Sequence, residues 1–338
     1  MFYSIHERMI AMKMRTIGQE KLQLSEIGYG CMGLNHHRGP AKDTKKIKRV
    51  VQEAYNQGIT MFDTAEVYGP YTNEELVGEA IKNFRKNVVL ATKGGFKING
   101  QTNYPDSSAK TLRDSLEGSL KRLQTDYIDL YYIHRVDPNV PIEEVAETIQ
   151  SFKKEGKILQ WGLSEASEES IRRAHKVEPL MAIQSEYSIW WRDLEKDIFP
   201  VLEELGIGLV AYSPLGRGFL TGQMTQQSIA NENDNRADLP RFTNEAMAAN
   251  QVAVELLQEI GNRKNATSAQ IAIAWILAQK EWIVPIPGTT NLNRLTENNQ
   301  AAAITFTKEE LVKINEAVDQ LTIVGDRYPQ SEKERTGK

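Results

Sequence analysis

The chain alternates between stretches whose apolar residues recur at helical spacing and short, nearly continuous apolar runs. Ile47, Val50, Val51 and Ala54 lie on one helical face, and an apolar run at residues 59–62 follows directly. The pattern predicts strands at residues 27–30, 59–62, 88–91, 128–133, 158–163, 181–184, 207–212 and 282–286. It predicts helices at residues 43–58, 72–84, 112–123, 141–156, 167–174, 199–205, 267–278, 292–299 and 308–321.

Local signals mark several helix ends. Asp43 or Thr44 suits the start of the first helix, and Thr72 and Glu75 match the first and last positions of a capping box. Three helices are predicted to stop at a glycine that an apolar strand follows directly: Gly58, Gly156 and Gly206.

Strands separated by crossover helices must run parallel, and continuous apolar strands are buried on both faces. Eight such units in succession, with no linker between them, predict an α/β fold: a single-domain (β/α)8 TIM barrel. We place this barrel at residues 14–322, after an N-terminal extension at 1–13 and before a C-terminal tail at 323–338. The unpatterned polar stretch at residues 214–241 is long enough to be a functional lid.

Composition narrows the class of protein. The 338 residues include 41 Lys and Arg against 45 Asp and Glu, and this net charge of −4 gives no reason to expect nucleic acid as a partner. No apolar run reaches 18 residues, so we expect no membrane span, and the charged N-terminus does not resemble a signal peptide. The single cysteine, Cys31, suits the cytoplasm.

One motif misleads. Residues 28–33 match the pattern G-x-G-x-x-G of dinucleotide-binding domains, but that mechanism needs a helix to begin at the glycines. The residues that follow, up to Pro40, are unsuited to opening one. We therefore expect Gly28 and Gly30 to let the first strand end close to a bulky neighbour. That neighbour could be a cofactor.

Polar residues stand where predicted strands end. Asp63, Lys93 and His134 end three successive strands, and Tyr68 follows Asp63 by five residues. Each alone has an ordinary structural explanation, such as a helix cap, a solvated lysine or a core histidine. The carboxyl ends of barrel strands meet at one face, however, so the three should converge.

Together these side chains favour proton transfer. A nearby ammonium lowers the pKa of a tyrosine, Asp63 can hold Lys93, and His134 can donate a hydrogen bond to a substrate oxygen. No nucleophile stands beside an obvious base, and the five histidines are too scattered to predict a metal site. The set would supply a proton and would need a hydride donor from elsewhere.

At this point the chain resembles the aldo-keto reductase family, whose bacterial, fungal and plant branches it matches best. Five ordered blocks carry the resemblance: residues 62–69, 91–93, 127–134, 211–216, and 285–288 with Arg294, Glu297 and Asn298. It implies a (β/α)8 barrel that reduces aldehydes and ketones to alcohols with NADPH. The implied catalytic residues are Asp63, Tyr68, Lys93 and His134, with Tyr68 as general acid and with Tyr68 and His134 touching substrate.

The resemblance also implies a cofactor site. Tyr212 would stack on the nicotinamide, with Ser164 and Gln184 near its carboxamide and Asp63 close by. The other implied contacts are Gly30, Cys31 and Met32 along the cofactor; Ser213, Leu215, Gly216 and Arg217 at the pyrophosphate; and Gly288, Thr289, Thr290, Arg294, Glu297 and Asn298 toward the adenosine.

Two positions depart from the family pattern. Glu165 stands where the family often has Asn, and Gly288 stands where many members have the Lys that binds the 2′-phosphate of NADPH. Arg294 remains as a candidate for that phosphate, because a guanidinium pairs with phosphate bidentately. NADPH stays favoured, and NADH stays possible.

The substrate and the alternatives are less defined. Trp190 and Trp191 could line an apolar substrate pocket or could pack between helix and barrel, and Asn35, His36 and Tyr71 are weaker candidates. A small-molecule carbonyl compound is the expected partner; the oligomeric state is not predicted.

A cofactor-binding regulatory subunit, as in the potassium-channel β subunits that resemble this family, is one alternative. A barrel lyase with Lys93 as a Schiff base is the other.

Overall fold

A computed structural model describes residues 12–36, 43–100, 102–230 and 234–330 of the chain. Its strands, in chain order, are β1 (Met14–Ile17), β2 (Leu22–Ser25), β3 (Tyr29–Gly30), β4 (Met61–Asp63), β5 (Val89–Gly94), β6 (Phe96–Asn99), β7 (Thr102–Pro105), β8 (Ile128–Ile133), β9 (Ile158–Ser164), β10 (Ala182–Glu186), β11 (Gly208–Tyr212) and β12 (Ile283–Pro285). The first eleven residues, most of the predicted N-terminal extension, lie outside the described part.

One or more α-helices separate most successive barrel strands from β3 onward. The α-helices are α1 (Thr44–Asn56), α2 (Thr72–Ile81), α3 (Ala109–Leu123), α4 (Ile142–Lys154), α5 (Glu168–Val177), α6 (Leu194–Leu205), α7 (Gln226–Ile229), α8 (Asn244–Ala249), α9 (Gln251–Lys264), α10 (Ser268–Gln279), α11 (Leu292–Gln300) and α12 (Lys308–Asp319). Within the described ranges, no helix is both long enough and apolar enough to cross a membrane.

Eight strands form one parallel sheet in the order β3, β4, β5, β8, β9, β10, β11 and β12. The sheet curls until its ends meet. The N–H of Gly28 donates to the carbonyl of Pro285 at 2.9 Å, and that of Gly30 to Pro287 at 3.3 Å. The predicted (β/α)8 barrel is therefore confirmed, and all eight predicted barrel strands are present.

The glycines of the misleading motif lie at this closure. A Cβ atom on Gly30 would stand 2.7 Å from the carbonyl oxygen of Ile286, and one on Gly28 would stand 2.9 Å from the Ile286 side chain. The bulky neighbour that these glycines admit is the end of the last barrel strand. A short 3-10 turn, Met32–Leu34, follows them in place of an α-helix.

Most helix boundaries follow the local signals. Gly58, Gly156 and Gly206 have φ angles of 93°, 72° and 62°, the left-handed conformation that a glycine stop needs. The Asp43 side chain accepts a hydrogen bond from the Lys45 N–H at 2.9 Å and caps α1. The predicted capping box at Thr72 is wrong: Tyr71 precedes the helix, and the Thr72 hydroxyl donates to the Gly69 carbonyl at 3.3 Å.

Several elements escaped the sequence pattern. The antiparallel hairpin β1–β2 comes before the barrel, and its Ile17 and Leu24 are buried in a core cluster with Met181. A second hairpin, β6–β7, follows β5 on the side of the barrel where the predicted site residues lie. The helices α8 and α9 were also missed. Strands of four residues carry too few positions for their alternation to stand out.

Within the predicted lid at residues 214–241, the described residues include a 3-10 segment at Gly216–Thr221. Residues 323–330, assigned to a tail, pack against the barrel. Asn250 holds the backbone of Val324 on both sides, accepting from its N–H at 2.7 Å and donating to its carbonyl at 2.9 Å. Arg327 is only 8% exposed.

Candidate active site

A cavity of about 620 Å³ opens at the carboxyl ends of the barrel strands. Among the predicted catalytic residues, Asp63, Tyr68 and His134 line it, and Lys93 lies buried beside Asp63. Most of the predicted cofactor contacts also line it: Gly30, Met32, Asp63, Ser164, Gln184, Tyr212, Ser213, Leu215, Arg217, Gly288, Thr289, Thr290, Arg294, Glu297 and Asn298. The fold thus gathers residues from both halves of the chain around one space.

A buried ion pair forms the floor of the site. The ammonium of Lys93, near the end of β5, lies 2.5 Å from the Asp63 carboxylate at the end of β4. It also donates to the Thr64 carbonyl at 2.7 Å, and Gln184 donates to the other carboxylate oxygen of Asp63 at 2.7 Å. Burial lowers the pKa of Lys93, but the negative charge of Asp63 and the hydrogen bonds to Asp63 and Tyr68 outweigh it, so its pKa is raised and it stays protonated.

Tyr68 stands above this pair on the turn after β4. The Lys93 ammonium donates to its hydroxyl at 3.4 Å and lies 5.1 Å from the centre of its ring. Burial raises the pKa of Tyr68, while the charge of Lys93 acts in the opposite direction. The phenol is therefore protonated at neutral pH, and its conjugate base would have a cation at hand.

His134 completes this end of the cavity. Its ring meets Tyr68 edge-on at 5.9 Å between centroids and packs against Phe96 at 5.0 Å. Burial, reinforced by the positive charges of Arg135 and Lys93, holds its pKa well below the usual value, so the imidazole is neutral. Its Nδ1 is buried without a hydrogen-bond partner among the described residues.

A second ionic cluster surrounds Tyr212. Arg327 donates to the Tyr212 hydroxyl at 2.6 Å and pairs with Glu165 at 2.5 Å and Glu186 at 3.0 Å. Tyr328 shares a hydrogen bond with Tyr212 between their hydroxyls at 3.0 Å. Burial alone would raise the pKa of Glu165, but the Arg327 charge prevails and lowers it to about 2.

This cluster explains the role of Glu165, whose carboxylate pairs with the buried Arg327. The sequence pattern did not predict the cluster. Arg327 and Tyr328 belong to the predicted C-terminal tail, where no periodic pattern marks them. The one available signal was that Glu165 ends a buried strand, which requires a cationic partner from some other segment.

The far end of the cavity has a different character. Ser213, Gly216 and Arg217 adopt left-handed φ angles of 51°, 55° and 56°, which bend the chain sharply after β11. Arg294 is exposed, and among the described residues its side chain makes only a 3.5 Å hydrogen bond to Gln223. A Cβ on Gly288 would stand 2.4 Å from the Gly30 carbonyl oxygen, so packing at the barrel closure explains the glycine here.

Three predicted contacts do not line the cavity. Cys31 is fully buried, with its thiol directed to the Tyr29 carbonyl at 3.8 Å. Gly216 is buried, and a Cβ on it would stand 2.6 Å from the Trp190 ring. Trp190 stacks on Phe219 with ring centroids 4.9 Å apart and is 3% exposed. These contacts support a packing role for Trp190 rather than one in the substrate pocket.

Of the three weaker substrate candidates, one lines the cavity and two do not. His36 lines the cavity, and its Nδ1 accepts from the Gly69 N–H at 3.1 Å. Asn35 accepts a hydrogen bond from Asn73 at 2.5 Å and is absent from the cavity wall, as is Tyr71. The sequence pattern gave no sign of several other residues of the wall, among them Val67, Phe96, Asn103 and Arg135.

Comparison with known proteins decides the family. The model of the aldo/keto reductase family matches residues 26–319. The chain belongs to this family. This aldo/keto reductase is 42% identical over 318 residues to "Probable aldo-keto reductase 1" of Glycine max, an alignment covering 92% of this chain and 90% of that protein.

Solved structures agree on the fold. The glycerol dehydrogenase of Gluconobacter oxydans is 26% identical with a TM-score of 0.83, covering 96% of this chain and 99% of that one. An aldo-keto reductase of Bacillus halodurans in its holo form is 29% identical with a TM-score of 0.76, covering 94% and 98%. The family membership makes this chain an oxidoreductase.

Proposed function

We propose that this aldo/keto reductase converts aldehydes or ketones to alcohols with NADPH as hydride donor and Tyr68 as proton donor. The observation that carries the proposal is the position of the Lys93 ammonium, 2.5 Å from Asp63 and 3.4 Å from the Tyr68 hydroxyl, at the base of the cavity.

The residues present fit a dinucleotide. The cavity extends from Tyr68 and His134 past Tyr212 to Arg294, with a ring at its middle and a cation at its far end. When bound, the nicotinamide would supply the hydride. Tyr212 would hold its ring, Ser164 and Gln184 its carboxamide, and the sharp turn at Ser213 and Arg217 its pyrophosphate.

The side chains of the floor would handle the proton. Tyr68 would donate its phenolic proton to the carbonyl oxygen as negative charge develops there, and Lys93 would stabilise the resulting phenolate. Asp63 would keep Lys93 in place and charged. The neutral imidazole of His134 can donate a hydrogen bond to the same oxygen and orient the carbonyl group.

The choice of NADPH over NADH rests on Arg294. Position 288 has no room for the family's lysine, because its Cβ would meet the Gly30 carbonyl oxygen. Arg294 is exposed at the far end of the cavity, where its guanidinium could take the 2′-phosphate in bidentate fashion.

The alternative functions have less support. A Schiff-base lyase needs a neutral amine, whereas Lys93 is paired with Asp63 and has a raised pKa. A purely regulatory role would not require the buried Asp63–Lys93 pair to adjoin a phenol. A borohydride-trapped adduct on Lys93 would support the lyase.

The test is loss of NADPH absorbance with a panel of aldehydes and ketones. The wild-type chain should turn over, and Tyr68→Phe should lose at least about 100-fold in kcat, the scale of general acid catalysis, with little change in the Kd of NADPH. A fully active Tyr68→Phe variant would remove Tyr68 as the acid. Tight NADPH binding with no turnover on any compound would favour the regulatory role.

A further inference from the structure

We propose that Arg135 selects substrates that carry a carboxylate in addition to the carbonyl group to be reduced. The inference rests on the proposed function, since it names which carbonyl compounds the site accepts. Arg135 directly follows His134 and lines the same cavity, where its side chain is half-buried.

Two donors of this guanidinium remain available. Its Nη1 donates to the His134 carbonyl at 2.7 Å and to the Ser164 hydroxyl at 3.1 Å, which fixes its position. Its Nε and Nη2 make no hydrogen bond to any residue within the described ranges. These two N–H groups share one edge of the guanidinium plane, the edge that binds both oxygens of a carboxylate in parallel.

The surrounding charges leave Arg135 uncompensated. The two buried carboxylates of this region, Glu165 and Glu186, are taken by Arg327 at 2.5 Å and 3.0 Å, and Glu186 also by Arg217 at 3.3 Å. Arg135 has no ion-pair partner within 4.0 Å in the part of the chain that the structure describes. Arg135, Arg217 and Arg327 thus outnumber these two glutamates by one positive charge, which a bound anion would neutralise.

The position of this charge points to the substrate rather than to the cofactor phosphates. Arg135 directly follows His134, and its Nη1 donates to the His134 carbonyl and to the Ser164 hydroxyl, so its guanidinium lies at the reacting end of the cavity. Arg294, the candidate phosphate ligand, follows β12 on the opposite side of the barrel from β8.

The rest of this end of the cavity defines the shape of the substrate. Met32, Val67 and Phe96 supply an apolar wall beside Tyr68. A compact apolar body would pack on this wall, with its carbonyl group at Tyr68 and its carboxylate at Arg135. Aromatic or short aliphatic aldehyde acids have this combination.

The experiment compares 4-carboxybenzaldehyde with its neutral methyl ester as substrates, with NADPH. The readout is the ratio of kcat/KM for acid over ester. We expect Arg135→Gln to lower this ratio roughly 10- to 100-fold, the range of a charge-assisted hydrogen bond, and Arg135→Lys to retain part of it. Arg173→Gln, which removes an exposed arginine on α5, is the matched control and should leave the ratio unchanged.

A second readout is independent of turnover. Calorimetry with 4-(hydroxymethyl)benzoate and its methyl ester should show preferential binding of the acid by the wild type, lost in Arg135→Gln. An unchanged ratio in both assays, or a loss confined to NADPH affinity, would overturn the proposal. If neither aldehyde is reduced, the proposed function fails, and the calorimetric preference still decides the role of Arg135.

Discussion

Arg327 donates a hydrogen bond to the hydroxyl of Tyr212 at 2.6 Å, although 115 residues separate them along the chain. The same guanidinium pairs with Glu165 and Glu186, so one side chain from the C-terminal segment connects the ends of β9, β10 and β11. The aromatic ring at the middle of the cavity is therefore held by a residue from outside the eight βα units.

The first prediction concerns this contact. Arg327→Met should lower the free energy of unfolding by about 3–5 kcal/mol, because it leaves buried carboxylates without their partner. It should also weaken NADPH binding, since Tyr212 loses its support. Urea unfolding and fluorescence titration measure the two effects. Arg327→Lys, which keeps the charge, should lose less. A Met variant within about 1 kcal/mol of wild type, the value of an exposed ion pair, would contradict it.

The second prediction concerns pH. Glu66 is buried beside the site and accepts from the Ser115 hydroxyl at 2.9 Å, and burial raises its pKa from 4.5 to about 7. Between these values the folded chain binds more protons than the unfolded chain, so this group's contribution to stability falls as pH rises from about 4.5 to 7. Glu66→Gln should remove this pH-dependent contribution to the free energy of unfolding.

Urea unfolding across this pH range measures the effect. The wild type and Glu66→Gln should converge at low pH and diverge above neutrality, where the variant becomes the relatively more stable protein. Glu255→Gln, at an exposed position on α9, is the matched control. Parallel stability curves for wild type and Glu66→Gln would show that Glu66 does not titrate in this range.

The third prediction tests the barrel closure. Gly288→Ala should cost about 1–3 kcal/mol of stability, the usual cost of overpacking, because its Cβ would press on the Gly30 carbonyl oxygen. Thermal unfolding compares it with Thr290→Ala, a neighbouring change without that contact. Equal unfolding temperatures for the two variants would mean that the closure accommodates a methyl group.

The fourth prediction separates the two nicotinamide cofactors. Arg294→Ala should raise the Kd of NADPH roughly 10- to 100-fold, the range of a charge-assisted hydrogen bond, and that of NADH much less, because only NADPH carries the 2′-phosphate. Arg263→Ala removes another exposed arginine as a control. Equal weakening of both cofactors would show that Arg294 does not bind that phosphate.

Much of the fold was predictable because strands and helix ends depend on residues that lie close together in the sequence. The apolar run at residues 128–133 is β8, and Gly206 ends α6 in the left-handed conformation. Both features depend on residues within one or two turns of each other. The convergence of Asp63 and Lys93 was predictable as well, because parallel strands necessarily bring their carboxyl ends to one face.

The sequence by itself determined the alternation of helices and strands, the barrel and the gathering of Asp63, Lys93 and His134. Only the tertiary structure decided that Gly28 and Gly30 close the barrel against the last strand, that Trp190 packs on Phe219, and that Arg327 reaches Tyr212. The reason is physical: periodicity reports which face of an element is buried, whereas a contact across a hundred residues depends on where the whole chain has placed its ends.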